Sequence, residues 1–425
     1  MTFKYKTFQI KNESACLYKW TWSTLYLSNG NTNSCHRVGG PWTLDEIDFK
    51  DFHNHPGKIA DRKLMLEGKW PDNACHYCKR IEDAGGISER TGFINGLRDK
   101  LPPEMEEDPT ALYVTPRILE IYFSNLCNQG CTYCSPMFSS VIQQEVKRYE
   151  QIHGESISGR YGWDNKWQVN PNYEKLKGEF WKWMDENSTH LRDFQVLGGE
   201  PLFQPEFEEC LSFFERTENP DLNWKMFSNL KHDTEKFRVK MERMADLLRK
   251  GKLRRIEIVC SIDCWGPEAE YARHGMKLDN WEDNFNILLS IPEMSISMQS
   301  TISSITLPTA YQLTEKVTEW NKIRDVNQGW NTVANPPYMD PSIFGHYMTE
   351  YVDRLLAAAS DKPSYLDGFA TQIKNAPVNR PMLKELRNFL DKIDKSRGQN
   401  WRAIYPWMDK IFIKELDNQV GPRSS

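Results

Sequence analysis

From residue 116 onward the chain keeps one rhythm, a short apolar run of strand type followed by a longer amphipathic segment. Strands are predicted at 117–123 (RILEIYF), 191–197 (LRDFQVL), 224–229 (WKMFSN), 254–262 (RRIEIVCSI), 295–303 (SISMQSTIS) and 329–334 (GWNTVA). Helical patterns fill the gaps at 173–186, 205–217, 234–250, 280–290 and 309–323. Strand and helix alternating through six strands imply right-handed βαβ crossovers and a parallel sheet. Six such units curl into part of a (β/α) barrel, and in that architecture functional residues stand at the C-terminal ends of the strands.

The flanks differ from this middle. About 95 residues at the start carry short apolar pieces, turns such as SNGNTNS (28–34) and four cysteines. The tail from about 343 reads as all-helical, at 347–360, 382–397 and 401–416. Linkers fit 101–110 (LPPEMEEDPT) and 361–368 (DKPSYLDG). The expected division is therefore 1–100, 112–340 and 341–425. A formal net charge of −5 over 425 residues disfavours whole-protein attraction to nucleic acid or an anionic membrane. The opening MTFKYKTFQIKNE has no apolar core of a signal peptide, and no run is long enough to span a bilayer. A cytoplasmic location is expected, where thiols stay reduced and clustered cysteines serve metals more often than disulfides.

Ten cysteines are present. Three of them, in CNQGCTYC (127–134), follow the first predicted strand, with gaps of three and two residues. Thiolates suit zinc or iron–sulfur clusters. A closed structural site needs four protein ligands, and after Cys134 the next cysteine is Cys210. Three thiolates on a cubane leave one iron open to an outside ligand. The alternative at this point is a zinc loop or chance spacing. The second strand ends in VLGGEP (196–201), where Gly198 and Gly199 permit close backbone approach and Glu200 offers an acid to an ammonium. Alone, this is also a tight turn with a solvated glutamate. The fourth strand runs into SIDCWGPEAEYARHG (261–275), which carries a hydroxyl at Ser261, acid at Asp263 and a planar fork at Arg273.

These segments together resemble the radical S-adenosylmethionine (SAM) superfamily, whose [4Fe–4S] cluster is held by Cys-x3-Cys-x2-Cys after strand one of a partial (β/α)6 TIM-like barrel. The resemblance implies that Cys127, Cys131 and Cys134 hold a SAM-binding cluster, with the aromatic Tyr133 beside the last ligand. It implies that the Gly198–Gly199–Glu200 segment holds the SAM amino group. It further implies that Ser261 and Arg273 meet the SAM carboxylate, with Asp263 orienting Arg273 or facing substrate, and that backbone near Val333 in NTVANPP (331–337) lies against adenine. Ser303 and Ser304 stand where many relatives carry an asparagine, and Cys264 stands where they usually carry glycine. SNL (228–230) is a further candidate for the pocket wall. Cys264, Cys210 and Cys260 read as small buried core residues.

The early cysteines form a second set: Cys16, thirteen residues, Gly30, four residues, Cys35, and then Cys75-His-Tyr-Cys78. Four thiols with one close pair fit a closed [4Fe–4S] or zinc site. The spacing resembles the opening of SPASM and twitch modules, which hold auxiliary clusters. Here the module precedes the barrel instead of following it. His36 and His76 read as solvent-facing neighbours, and His274 as structural. Taken as a whole the resemblance implies reductive cleavage of SAM to a 5′-deoxyadenosyl radical that abstracts hydrogen from a peptide or protein side chain. An electron donor such as flavodoxin or ferredoxin is implied with it. The alternatives are the same start on a nucleotide or other small metabolite, and a non-enzymatic iron–sulfur or zinc protein.

Overall fold

The computed structural model of the chain describes residues 14–36, 42–71, 75–83, 85, 87–92, 100–159, 168–333, 335–359 and 364–417. The opening segment 1–13, Ala334 at the end of the sixth expected strand, Ser360 at the end of a tail helix and positions 361–363 of the second expected linker lie outside these residues.

Three short strands come first, β1 (Trp22–Tyr26), β2 (Asn31–Asn33) and β3 (Trp42–Thr43). The later strands are β4 (Ile118–Tyr122), β5 (Gly130–Cys131), β6 (Asp193–Leu197), β7 (Asn219–Ser228), β8 (Leu253–Ser261), β9 (Arg273–His274), β10 (Ser295–Ile302) and β11 (Asn327–Thr332). Nine of them form one sheet in the order β11-β10-β8-β7-β6-β4-β1-β2-β3. From β11 to β1 every pairing is parallel, and only β2 and β3 run against their neighbours. The helices Tyr173–Asn187, Glu206–Arg216, Thr234–Arg249, Leu278–Leu289 and Leu307–Trp320 alternate with the strands as their periodicity requires. The protein is thus a mixed α/β fold with a large, mostly parallel sheet. Its two edges do not pair with each other among the described residues, so the sheet is open.

One feature was not legible in the strand pattern. β1 pairs in parallel with β4 along its whole length, Trp22 opposite Ile118 through Tyr26 opposite Tyr122. The cysteine-rich start therefore extends the same sheet past its first βα strand.

Strand side chains alternate between faces. On one face Leu119, Ile121, Phe194, Val196, Trp224, Met226, Ile256, Ile258, Ile296 and Met298 pack against Phe180, Phe214, Met241, Phe285 and Val317 of the helices. Each such side chain contributes about 1.5–3 kcal/mol on burial, which makes this layer the main core. The opposite face carries Gln195, Lys225, Phe227, Glu257, Ser297 and Gln299, all half-buried. Parallel sheets ordinarily cover both faces, and here the second face is left as a lined cavity.

The tail is helical, as expected: Thr349–Ala358, Ser364–Asn375 and Arg380–Arg397. The pattern at 401–416 breaks into Trp401–Ile404, Pro406–Phe412 and Ile413–Asp417, because Pro406 cannot donate the backbone hydrogen bond that would continue the first turn. A second core joins this tail to Ile302, Tyr271 and Val333. Among the described residues no helix is long and apolar enough to cross a membrane.

Candidate functional site

The three-cysteine loop starts just after β4 and lies at the C-terminal end of the sheet. Its central piece is the strand β5, which pairs antiparallel with β9, Gly130 opposite His274 and Cys131 opposite Arg273. The Thr132 N–H donates to the Ala272 carbonyl at 2.8 Å and extends this ribbon. The loop of thiols and the loop of Arg273 are thereby one unit. Behind it the helix Ser140–His153 presents Ser140, whose Oγ accepts the Cys127 N–H at 3.1 Å.

Cys127, Cys131 and Cys134 are free and half-buried. Burial pushes the Cys127 thiol up to about 12, with Cys131 adding to the effect. Burial raises Cys134 too, and both Cys131 and Cys127 push it further. Cys131 is raised by burial although Arg273 opposes it. Thiols that disfavour each other's charge stand close together and call for a cation. Arg273 donates through Nη1 to Cys131 Sγ at 3.8 Å, and Asn229 through Nδ2 to Cys127 Sγ at 4.0 Å.

The donor set fits an iron–sulfur cluster. Gln129 is buried within the loop, its Oε1 lies 3.9 Å from Cys131 Sγ, and its Nε2 has no hydrogen-bond partner among the described residues. An orphan amide N–H beside thiols is the kind of donor that cluster sulfurs accept. Among the described residues no group of three or more Cys, His, Asp or Glu side chains converges as tightly as one metal ion requires. Ligands of a cluster bind separate irons and stand further apart.

Asp263 and Arg273 form a buried two-pronged pair, Nε to Oδ2 and Nη2 to Oδ1, both 2.8 Å. The Tyr133 hydroxyl donates to Oδ2 at 2.5 Å and the Thr301 N–H to Oδ1 at 2.9 Å. Burial pulls the Arg273 pKa down, but Asp263, Tyr133 and Cys131 outweigh it and hold the guanidinium above its ordinary value. The expectation that Arg273 offers its fork to a ligand carboxylate therefore meets a physical obstacle. The fork is taken by Asp263, and Nη1, which faces Cys131, is the edge turned toward the thiols. Of the two roles expected for Asp263, the geometry supplies orientation of Arg273.

Glu200 also sits differently from an open anchor. Its carboxylate is 1% exposed and accepts from Leu202 N–H (3.2 Å), Ser228 Oγ (2.9 Å) and Asn229 N–H (2.6 Å), with His232 Nε2 at 3.3 Å. Those partners fill its lone pairs, so it ties the end of β6 to the end of β7. Gly198 and Gly199 have φ of +85° and +57°. A Cβ on Gly199 would lie 2.1 Å from the Leu126 carbonyl oxygen. The close approach these glycines permit is to the backbone just before Cys127. Ser261 is half-buried at the end of β8, opposite Gln299. Val333 is buried in the second core, its N–H on the Ile302 carbonyl at 3.0 Å.

The early cysteines also come together. Cys16, Cys35, Cys75 and Cys78 line one pocket with Tyr18, Trp70 and Lys19. Burial raises Cys16, with Cys75 and Cys35 adding to it, and burial pushes Cys75 up to about 11. Lys19 is nearly fully buried, pairs with Asp61 at 2.6 Å, and gains charge stability from Cys75 and Cys35. A buried cation among thiols suits an anionic four-thiolate centre. His36 is half-buried and pairs with Glu89 at 3.1 Å, so it is no solvent-facing neighbour, whereas His76 is exposed as expected. Tyr18 also lines a second cavity, with Trp22, on the open face of the sheet. Tyr18 is thus common to the lining of both.

Sequence reasoning missed Gln129, Arg397 and the helix Ser140–His153. Arg397 comes from the last long helix and pairs with Glu145 through Nη2 at 2.6 Å, behind the cysteine loop. Only the tertiary fold brings it there. Asn229, by contrast, lies in the SNL segment singled out for the pocket wall.

No protein-family model and no curated protein matches the chain. Among solved structures the chain is similar to one described as "Native anSMEcpe with bound AdoMet and Kp18Cys peptide", at 17% identity and a TM-score of 0.36. The alignment covers 59% of this chain and 62% of that one.

Proposed function

We propose that the chain is a radical SAM enzyme, with Cys127, Cys131 and Cys134 holding a [4Fe–4S] cluster and the four early cysteines holding an auxiliary one. The observation that carries this is the ribbon of β5 and β9, which sets three thiols and a buried Arg273 side by side at the C-terminal end of a parallel sheet. When bound, such a cluster with SAM supplies reductive cleavage of the sulfonium and a 5′-deoxyadenosyl radical.

The protein's own part is binding, orientation and exclusion of water. Cys127, Cys131 and Cys134 would hold the cluster by three thiolates, leaving room for a small-molecule ligand. Arg273 Nη1 and Asn229 Nδ2 stabilise negative charge on sulfur. Asp263 keeps Arg273 in place and Tyr133 caps Asp263. Gly199 brings the Leu126 backbone against the β6 turn, which fixes where Cys127 stands. The substrate is a peptide or protein side chain, presented from the open face of the sheet.

Anaerobic protein reconstituted with iron and sulfide, then given SAM and dithionite, should release 5′-deoxyadenosine. Cys127→Ala, Cys131→Ala and Cys134→Ala should each abolish that release. A reconstituted sample that never yields 5′-deoxyadenosine, or that carries zinc alone at these thiols, would overturn the proposal.

A further inference from the structure

The cavity on the open face of the sheet, about 290 Å³, is lined at the N-terminal strand ends by Lys100, Asp193, Gln195, Lys225, Arg255 and Glu257. Three cations meet two carboxylates there. The carboxylates are engaged: Asp193 with Lys100 and with Asn223 Nδ2 (2.9 Å), Glu257 with Ser297 Oγ (2.7 Å). Arg255 donates to Ser295 Oγ at 2.9 Å. The Lys225 ammonium forms a long ion pair with Glu257 at 3.8 Å and no shorter side-chain contact among the described residues. Its register neighbour on β6 is Gln195, which lines the same cavity. Arg255 Nη2 approaches the same Glu257 carboxylate at 3.6 Å, so one acid is shared by two cations and Lys225 holds the longer of the two contacts.

Above Lys225 the face turns apolar. Its ammonium lies 5.6 Å from the Phe227 ring centroid, and Tyr122 stacks on Tyr26 at 4.7 Å one row above Glu120. Four residues further on, just past the end of β7, comes Asn229, which reaches Cys127; at strand rise that is about 13 Å. A ligand that reached from this cavity past Phe227 to the cysteine end would need an anionic head, a hydrocarbon middle and a C–H bond at that end.

We infer that Lys225, with Gln195 beside it, is the specificity residue for a carboxylate on the substrate, whether an acidic side chain within a peptide or a free acid. One surplus cation with a neutral amide suits a carboxylate better than a phosphate, which calls for clustered cations. This rests on the reading of the cysteine loop as the reacting end.

The test uses the full-length, cluster-loaded protein in equilibrium dialysis with four probes: hexanoate, acetyl-Ala-Glu-Ala-amide, hexylamine and hexyl phosphate. Hexanoate or the glutamate peptide should bind, and which of the two binds distinguishes free acid from peptide. Lys225→Met should weaken that binding roughly ten- to a hundred-fold, as for a lost charged hydrogen bond, and Lys225→Arg should restore part of it. Circular dichroism of each variant checks that it folds. Binding indifferent to Lys225, binding of neither carboxylate, or tighter binding of hexylamine or hexyl phosphate would overturn the assignment. Release of 5′-deoxyadenosine is scored separately: its absence with carboxylate binding intact refutes the radical reading and spares the subsite.

Discussion

Deleting the Asp263 carboxylate should be among the most damaging single changes to this site. Side-chain exposures are 1% for Asp263 and 7% for Arg273, so neither charge has water to fall back on. Breaking a buried pair from one side costs about 3–5 kcal/mol, because the partner stays buried and uncompensated. Asp263→Ala also strands the Tyr133 hydroxyl and the Thr301 N–H, each adding roughly 1 kcal/mol or more. At about 2 °C per kcal/mol for a large domain, the melting midpoint should fall by roughly 10–14 °C. Arg273→Ala should also lower the midpoint, since it leaves the buried carboxylate with only the neutral Tyr133 and Thr301 donors. The double variant removes both charges and should melt no lower than the worse single variant, because the two losses are one interaction. Thermal melts of the three variants followed by circular dichroism decide it. If the double variant's drop equals the sum of the single drops, the pair is not coupled and Arg273 is held by something else.

Gly199→Ala places a methyl on the Leu126 carbonyl in left-handed backbone; it should cost about 1–3 kcal/mol and lower iron retention at the Cys127 loop, read by melting and iron assay. His53 is buried, and burial, then Arg62 and Lys58, hold its pKa well below the usual imidazole value. The unfolded chain therefore takes a proton as pH falls below about 6.5 while the native state does not, so stability is full above that pH and declines below it. The loss should approach roughly 1 kcal/mol at pH 5.5, and His53→Asn should flatten the melting profile between pH 7.5 and 5.5. Reconstituted protein should hold about eight irons if both cysteine sets carry cubanes, and Cys75→Ala should lose about half of them while keeping 5′-deoxyadenosine release.

The six parallel strands were readable because alternation and apolar runs are local properties, and the observed strands begin and end close to the expected ones. β7 starts earlier, at Asn219, through a register irregularity between Asn219 and Asn223. The pairing of β1 with β4 was not readable, because it joins segments some ninety residues apart and leaves no period in either. The same reason hid the environment of Glu200. Its acid type and position suggested an ammonium anchor, but the donors that occupy it come from Ser228, Asn229 and His232 on the next strand and its loop. Asp263 and Arg273 were legible as a possible couple because ten residues separate them around one turn. Lys225 was read only as a strand residue: period two says that it faces away from Trp224, but not that its face is the open one.

Tyr18 has a consequence for how the molecule can be probed. Tyr18 lines both the amino-terminal thiol chamber and the cavity on the sheet. Two cavities that share a lining side chain are linked through its position, so a shift of Tyr18 on metal loading would alter the second. A probe bound beside Trp22 should thus register metal loading at Cys16 without touching a single thiol.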